Sequence, residues 1–285
     1  MDVFQLPESK FKTINDGEKL DLGNRTLEFI FAPWVHWPET MLTYLPEERI
    51  LFPCDFLGSH LATSDLYAGS KGEVYRAAKR YYAEIMMPFR TQIKKHLDKL
   101  SSLEIELIAP SHGPLFDKPD FILDAYCDWT SDEVKNEVII PYVSMWGSTQ
   151  AMVDYFTAGL IDRGITVKPF KLTATDIGEL AMALVDAATI VIGSPTVLTG
   201  PHPLVAYAAL LANALRPKTK FASIIGSYGW GGTMVKQIAG IIPNLKAEIL
   251  DPVIIKGYPK AAEFKALDKL ADQILTKHKS LGLIK

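Results

Sequence analysis

The feature that most constrains the fold is an alternation of short apolar runs and helix-compatible stretches that begins near Glu137 and continues to the carboxyl terminus. The apolar runs have the length and composition of buried strands. Five strands that alternate with five helices predict an α/β fold with a doubly wound, five-stranded parallel sheet. The predicted strands span residues 138–143, 165–172, 189–193, 221–226 and 247–250, and the predicted helices span residues 150–163, 175–186, 204–215, a stretch from about 233, and 261–279.

The first part of the chain has a different pattern. Short strands are predicted at residues 27–31, 40–44, 49–52 and 106–109, and one helical stretch is predicted at residues 71–100. A polar, charged segment at residues 128–135 separates this part from the regular alternation that follows. We therefore predict two domains, residues 1–132 and residues 133–285.

Composition excludes several classes of protein. The chain has 285 residues, 48% of them hydrophobic, and a formal net charge of −3, so nothing in it calls for nucleic acid or an anionic membrane. Cys54 and Cys127 are too few for a disulfide framework, which favours a reducing cytoplasm. The amino terminus lacks the apolar core of a signal peptide, and no apolar run approaches the roughly 20 residues of a membrane helix. We expect a soluble, cytoplasmic protein.

A glycine- and hydroxyl-rich turn follows the first predicted strand of the second domain. It places hydroxyls and backbone N–H groups at the start of a helix, where the helix dipole and the unpaired N–H groups both favour an anion. A turn of this kind also occurs as an ordinary helix cap. The residues that we assign to phosphate binding are Ser144, Met145, Trp146, Gly147, Ser148 and Thr149.

Two further loops follow the third and fourth predicted strands of the same sheet. Because the carboxyl ends of parallel strands meet at one edge, we expect all three loops to lie together. The Gly-x-Gly-x-x-Gly pattern of a dinucleotide site is absent after the first strand. The additional candidate residues are Pro195, Thr196, Val197, Leu198, Thr199 and Gly200 in one loop, and Ser227, Tyr228, Gly229, Trp230, Gly231 and Gly232 in the other.

These three loops resemble those of flavodoxins, which bind FMN. The resemblance implies that the first loop holds the FMN phosphate and that the other two flank the isoalloxazine ring. It makes Trp146, Leu198 and Trp230 candidates for covering the ring, although each could equally serve in packing.

Three segments of the first domain carry potential metal ligands in loops just after predicted strands: His36 in His-Trp-Pro-Glu, Asp55 in Pro-Cys-Asp-Phe, and His112 in Pro-Ser-His-Gly. Histidine and carboxylate ligands suit iron, manganese or zinc, and a carboxylate can bridge two metals. The other histidines, His60, His96, His202 and His278, are predicted to be structural or on the surface.

These segments resemble the signatures of flavodiiron proteins, in which a metallo-β-lactamase-like αββα domain with a di-iron centre is fused to a flavodoxin-like domain. The resemblance covers essentially the whole chain, in the same order. It implies that His36 binds one iron, that Asp55 bridges both, and that His112 binds the second. Glu39 and Cys54 have no ligand role in this family.

The chain departs from this family upstream. The family's first ligand cluster, of the type His-x-Glu-x-Asp-His, is expected well before His36, but the 35 preceding residues contain no histidine. The resemblance therefore implies a partial lactamase-like domain without its first half, and an uncovered apolar sheet face. The sequence leaves three explanations open: a truncated sequence, a missing half that a separate polypeptide supplies, or a lost metal site.

The resemblance implies an oxidoreductase in which FMN passes electrons to a di-iron site that reduces O2 to water or NO to N2O. The implied electron donor is rubredoxin or a flavin or NADH reductase, and the implied assembly is a head-to-tail homodimer or tetramer. Two alternatives remain: an FMN-binding electron-transfer flavoprotein with an incomplete, non-catalytic metal domain, and a structural subunit that completes a split partner.

Overall fold

A computed structural model describes residues 6–69 and 71–284 of the chain. Its backbone contacts divide the protein into two compact units. The first comprises residues 1–81 and 89–130, and the second comprises residues 82–88 and 131–285. None of the helices in the described part of the chain is both long and apolar enough to cross a membrane.

The first unit is built on a five-stranded sheet with the strand order β1-β2-β3-β4-β5. The first four strands pair antiparallel, and β5 pairs parallel with β4. The strands are β1 (Lys19–Asp21), β2 (Thr26–Phe31), β3 (Met41–Leu45), β4 (Ile50–Phe52) and β5 (Leu107–Ile108). Three helices accompany them: α1 (Lys71–Tyr81), α2 (Arg90–Leu100) and α3 (Asp120–Thr130). The sequence pattern missed β1 and α3.

The predicted helical stretch at residues 71–100 is helical along its whole length, but it is not a single α-helix. A π-helical turn, Tyr82–Met86, and a 3-10 turn, Met87–Phe89, separate α1 from α2. Pro88 explains the break, because proline donates no backbone hydrogen bond and disfavours helical backbone at the residue before it.

The two faces of this sheet differ in burial because side chains alternate along each strand. One face carries a buried apolar set: Ile30, Leu42, Tyr44, Leu51 and Ile108. On the opposite face, Phe31 lies across from Met41 and Phe52 lies across from Thr43. Phe31 and Phe52 remain 37% and 42% exposed, so this apolar face is partly open within the described structure.

The second unit contains the predicted parallel sheet. Its strands β6 (Lys135–Tyr142), β7 (Thr166–Lys171), β8 (Ala187–Val197) and β10 (Phe221–Tyr228) pair in parallel, in the order β10-β8-β6-β7. The predicted fifth strand, residues 247–250, corresponds to β11 (Glu248–Ile249), and a further strand that was not predicted, β12 (Val253–Lys256), follows it; both pair with β10. The intervening Leu250, Asp251 and Pro252 separate the two strands, since proline cannot donate to a ladder.

Helices cover both faces of this sheet. Residues of α4 (Ser148–Asp162) and α8 (Ala261–Ser280) share one apolar core with alternate residues of β6, β8, β10 and β12. The connections α5 (Ile177–Leu184), α6 (Pro203–Leu215) and α7 (Met234–Ile241) neighbour one another on the other side. Because β7 and β8 lie on opposite sides of β6, the strand order reverses between β6 and β8, and ligands of such sheets bind at that reversal.

Candidate functional site

His36, Asp55 and His112 come from three separate loops of the first unit. His36 lies between β2 and β3, in a loop closed by hydrogen bonds from the backbone N–H of Ala32 to the carbonyl of Thr40 (2.9 Å) and from that of Trp34 to the carbonyl of Trp37 (2.7 Å). The other two residues follow β4 and β5, which are adjacent parallel strands. Adjacent parallel strands deliver the loops after them to the same edge of the sheet.

Backbone hydrogen bonds tie the Asp55 and His112 loops to each other. The N–H of Ser111 donates to the carbonyl of Cys54 (2.8 Å), and the N–H of Ser59 donates to the carbonyl of His112 (3.2 Å). The first bond joins the neighbours of the two candidate ligands, and the second joins His112 itself to the segment that follows Asp55. The relative position of the two side chains therefore follows from main-chain geometry.

The three side chains converge with one imidazole at each carboxylate oxygen. The Nε2 atom of His36 lies 3.4 Å from Oδ2 of Asp55, and the Nε2 atom of His112 lies 3.2 Å from Oδ1. A direct charge-assisted hydrogen bond between such groups would be about 2.7–2.9 Å long. Two donors that share a metal, each at about 2.1 Å and at right angles, would be about 3 Å apart, and farther apart at a tetrahedral angle. The spacing suits a carboxylate that bridges two metal positions.

The site is open to solvent and has few donors. The three side chains retain between 24% and 43% of their exposure. Among the residues that the structure describes, no group of three or more His, Cys, Asp or Glu side chains is arranged to hold one metal ion. Each imidazole therefore forms a pair of potential metal ligands with one oxygen of Asp55.

Two aromatic residues beside His112 were missed by the sequence reasoning. The His60 ring lies 5.4 Å from the His112 ring and 4.6 Å from the Tyr81 ring, measured between centroids. Burial raises the pKa of the Tyr81 hydroxyl, and the nearby charges of Asp55 and Cys54 raise it further, so this hydroxyl keeps its proton. His60 follows Asp55 by five residues, but a lone exposed histidine carries no distinguishing pattern.

The remaining histidines have local contacts. A ring nitrogen of His96 lies 3.1 Å from the carbonyl of Pro33, and burial lowers the pKa of this imidazole. The imidazole of His202 accepts a hydrogen bond from the backbone N–H of Leu204 and so caps α6. His278 is fully buried between Asn136 and Thr189.

In the second unit, the first predicted loop forms an open helix start. Gly147 is the residue before α4 and has a φ of +85°, a conformation that glycine adopts without strain. The hydroxyl of Ser144 accepts a hydrogen bond from the N–H of Gln150 (3.1 Å) and can still donate its own hydrogen. The amides of Ser148 and Thr149 are the first two of the helix, so they have no carbonyl partner within it.

Thr149 supplies an independent sign of a missing ligand in this loop. Its side chain is buried, and its hydroxyl has no hydrogen-bond partner among the described residues. A buried hydroxyl without a partner costs free energy, of the order of 1–3 kcal/mol. The free amides and this hydroxyl together fit an anion, such as a phosphate. Beside them, the side chain of Trp146 is 87% exposed.

The second predicted loop is mostly a strand, so the predicted end of this strand at residue 193 was wrong. β8 continues through Pro195, Thr196 and Val197, and then turns back as β9 (Gly200–Pro201), which pairs antiparallel with it. The apolar pattern of one strand does not show this, because the extension depends on pairing with residues farther along. Only Leu198 and Thr199 form the turn, and the side chain of Leu198 is 92% exposed.

The third predicted loop adjoins a cavity. β10 ends at Tyr228, α7 begins at Met234, and between them the side chain of Trp230 is 80% exposed. The cavity has a volume of about 620 Å³. It is lined by the predicted residues Thr196, Tyr228, Gly231 and Gly232, and by residues that we had not assigned: Thr233, Met234, Val235, Lys236, Ala239 and Ile254. The apolar members of the second group are indistinguishable from core residues in the sequence.

Comparisons with known proteins are consistent with both units. The family model described as "ODP family beta lactamase" matches residues 1–113. The nitric oxide reductase of Moorella thermoacetica is 38% identical over 84% of this chain, which covers 61% of that protein. The chain spans about two thirds of the length of these relatives.

Solved structures give the same result. The rubredoxin oxygen:oxidoreductase of Desulfovibrio gigas superposes with a TM-score of 0.91 and 30% identity, over 94% of this chain and 69% of that one. The flavodiiron protein of Giardia intestinalis superposes with a TM-score of 0.82 and 28% identity, over 93% of this chain and 68% of that one.

The fold and the site therefore define an α/β protein that joins a lactamase-like part to a flavodoxin-like part, as predicted. More specifically, the chain belongs to the flavodiiron protein family.

Proposed function

We propose that this chain serves a flavodiiron-type oxidoreductase that reduces O2 to water or NO to N2O. In this proposal residues 1–132 are the di-iron domain and residues 133–285 are the FMN-binding domain. The observation that carries the proposal is the placement of the imidazoles of His36 and His112 at opposite oxygens of Asp55. The names of the relatives, a nitric oxide reductase and a rubredoxin oxygen:oxidoreductase, support both gases as substrates.

FMN would lie along the three loops of the second unit. The amides of Ser148 and Thr149 and the hydroxyls of Ser144 and Thr149 would hold the phosphate. The buried hydroxyl of Thr149, which has no hydrogen-bond partner among the described residues, supports this placement. The exposed side chains of Trp146, Leu198 and Trp230 would contact the isoalloxazine ring. Large exposed apolar side chains on three neighbouring loops favour a planar ligand or partner over bare solvent.

Iron would lie between Asp55 and the two histidines. Bound flavin carries electrons one or two at a time, and bound iron supplies the site for reduction of the gas. The chain's own part is to hold the carboxylate between the imidazoles and to keep the Tyr81 hydroxyl protonated beside them. Three donors are fewer than two metals require, since each takes at least about four ligands. The proposal therefore includes further ligands besides His36, Asp55 and His112.

The proposed partners follow from the same family. An electron donor such as rubredoxin, or a flavin or NADH reductase, would reduce the flavin, and the name of the Desulfovibrio gigas relative supports rubredoxin in particular. A head-to-tail homodimer or tetramer in the cytoplasm completes the proposal.

The second candidate function is that of an FMN-binding electron-transfer protein without metal catalysis. It is favoured by one observation: His36, Asp55 and His112, the donors that the structure brings together, are fewer than two metals require. Anaerobic binding of Fe(II), measured together with FMN content in the full chain, separates the two candidates.

The test variant is Asp55→Asn, which keeps the size of the side chain but removes its charge. The control is Asp21→Asn, because the Asp21 oxygen that accepts from the N–H of Gly23 is retained in asparagine. We expect about one FMN per chain in all three proteins and iron binding at least tenfold weaker in Asp55→Asn only. Stoichiometric FMN with iron binding that is independent of Asp55 would leave the second candidate as the function.

A further inference from the structure

The turn between β8 and β9 is strained. Leu198 and Thr199 have φ values of +47° and +68°. Two-residue hairpins adopt this geometry readily with Asn-Gly, whereas a β-branched residue at positive φ is uncommon. Strain of this kind persists only where surrounding contacts over-determine the backbone, and it concentrates at ligand sites.

A chain of hydrogen bonds from α7 holds this turn. The backbone N–H of Thr233 donates to the carbonyl of Thr199 (2.7 Å), and the hydroxyl of Thr233 approaches the same oxygen at 3.3 Å. The side-chain amide of Gln237 donates to that hydroxyl (2.7 Å). Because the amide N–H occupies a lone pair of the hydroxyl oxygen, the hydroxyl hydrogen is directed to Thr199.

Close packing accompanies these hydrogen bonds. A Cβ atom on Gly232 would lie 2.6 Å from Cγ2 of Thr196 and 3.0 Å from the carbonyl oxygen of Thr199, and one on Gly200 would collide with the amide of Gln237. The β8–β9 hairpin and the segment from Gly232 to Gln237 therefore pack closely, with Gly200 on one side of the contact and Gly232 on the other. We call the contacts of the hairpin at residues 196–200 with Gly232, Thr233 and Gln237 the hairpin clamp.

The hairpin clamp coincides with the walls of the cavity. Thr196, Gly232 and Thr233 belong to the clamp and also line the cavity of about 620 Å³. The tip that the clamp holds carries the exposed side chain of Leu198. Any displacement of the turn would move this side chain and the cavity wall together.

We propose that Thr233 and Gln237 are positioning residues for the flavin. They hold the strained turn against the third loop, so that Leu198 and the cavity wall are in place before FMN binds. This inference rests on the proposed binding of FMN. Preorganisation of this kind raises affinity because the ordering cost is met before the ligand arrives.

The experiment compares Thr233→Val, which removes the hydroxyl, with Thr233→Ser, which keeps it. The full chain is stripped of flavin and titrated with FMN, and the dissociation constant is taken from the quenching of FMN fluorescence. The visible circular dichroism and midpoint potential of the bound flavin are recorded as well. Thr276→Val is the control, because its hydroxyl also donates to a backbone carbonyl, that of Asp272, but on α8.

We expect Thr233→Val to raise the dissociation constant about fivefold, the equivalent of one hydrogen bond, and to change the circular dichroism of the bound flavin. Thr233→Ser should keep the dissociation constant and the circular dichroism of the unmodified chain, and Thr276→Val should change neither property. In a Thr199→Gly background, where the strain at position 199 is removed, the effect of Thr233→Val should shrink. Gln237→Leu, at an exposed position, should raise the dissociation constant by a smaller factor. It replaces Thr233→Val in the comparison if that variant does not fold.

The outcomes separate the two proposals. If the unmodified chain binds no FMN, the proposed function and the positioning role both fail. If it binds FMN, but Thr233→Val and Gln237→Leu match it in affinity, dichroism and potential, only the positioning role is overturned. A loss of thermal stability without a change in these flavin properties would likewise show a purely structural role.

Discussion

The buried histidine on α8 gives the sharpest quantitative prediction. His278 is fully buried, its Nδ1 atom lies 2.7 Å from Oδ1 of Asn136, and its Nε2 atom lies 2.8 Å from the hydroxyl of Thr189. The amide nitrogen of Asn136 donates to the carbonyl of Gly164, so its Oδ1 is the acceptor. Nδ1 therefore carries the hydrogen, and Nε2 accepts from Thr189, which describes a neutral imidazole.

Burial lowers the pKa of His278 to about 4. An exposed histidine in the unfolded chain has a pKa of about 6.5. Below that value the unfolded state binds a proton that the folded state refuses, so this histidine makes stability fall as the pH falls from about 6.5 toward 4. The difference of about 2.5 pKa units corresponds to about 3 kcal/mol in full, of which about 2 kcal/mol is lost by about pH 5.

The assay is urea unfolding of the full chain and of His278→Gln at about pH 7.5 and about pH 5. The variant should have the lower free energy of unfolding at the higher pH. The difference between the two proteins should narrow by about 2 kcal/mol at the lower pH, because only the unmodified chain then loses the contribution of the neutral imidazole. Carboxylates titrate in both proteins and cancel in the difference. Lys277, the neighbour of His278 in the chain, forms an ion pair with Glu248, and both are unchanged in the variant. A gap that stays constant between the two pH values would refute the reasoning.

Three further predictions concern stability and the flavin loop. Gly147→Ala should destabilise the second unit by about 1 kcal/mol and weaken FMN binding, because alanine is strained at a φ of +85°. Thermal unfolding and FMN titration measure the two effects, and an unchanged FMN affinity would contradict the proposed phosphate loop. Trp129→Ala should cost about 3–5 kcal/mol in urea unfolding of the first unit, since the indole is fully buried and donates to the hydroxyl of Tyr75, and a loss below about 1 kcal/mol would contradict this role. Asp176→Ala should cost about 1 kcal/mol, because the carboxylate accepts from the N–H of Gly178 at the start of α5; Asp176→Asn, which keeps an acceptor, should retain most of the stability.

The predictable part of the fold is the part governed by local periodicity. The four long strands of the second sheet and their helices were foreseen because each is a run of one period. The labelled strands and helices that were missed are β1, β9, β12 and α3, which are short or flanked by polar residues. The break between α1 and α2 shows a different limit, since Pro88 was visible in the sequence but the pattern of the flanking residues outweighed it.

The candidate site divides in the same way. His36, Asp55 and His112 were selected from residue type, order and resemblance to a family, and these remain the proposed metal ligands. His60 and Tyr81 lie beside them only because the loop after Asp55 and the end of α1 approach the His112 loop in space. Nothing local in the sequence marks that approach.

The sequence by itself therefore determined the class of protein, the alternation of the second domain, and the chemical types present in each loop, because these depend on neighbours within a few residues. The tertiary structure alone decided that two imidazoles meet opposite oxygens of one carboxylate, that β8 continues into a strained hairpin, and that Thr233 and Gln237 hold this hairpin. The physical reason is that these arrangements depend on strand pairing and hydrogen bonds between residues distant in the sequence.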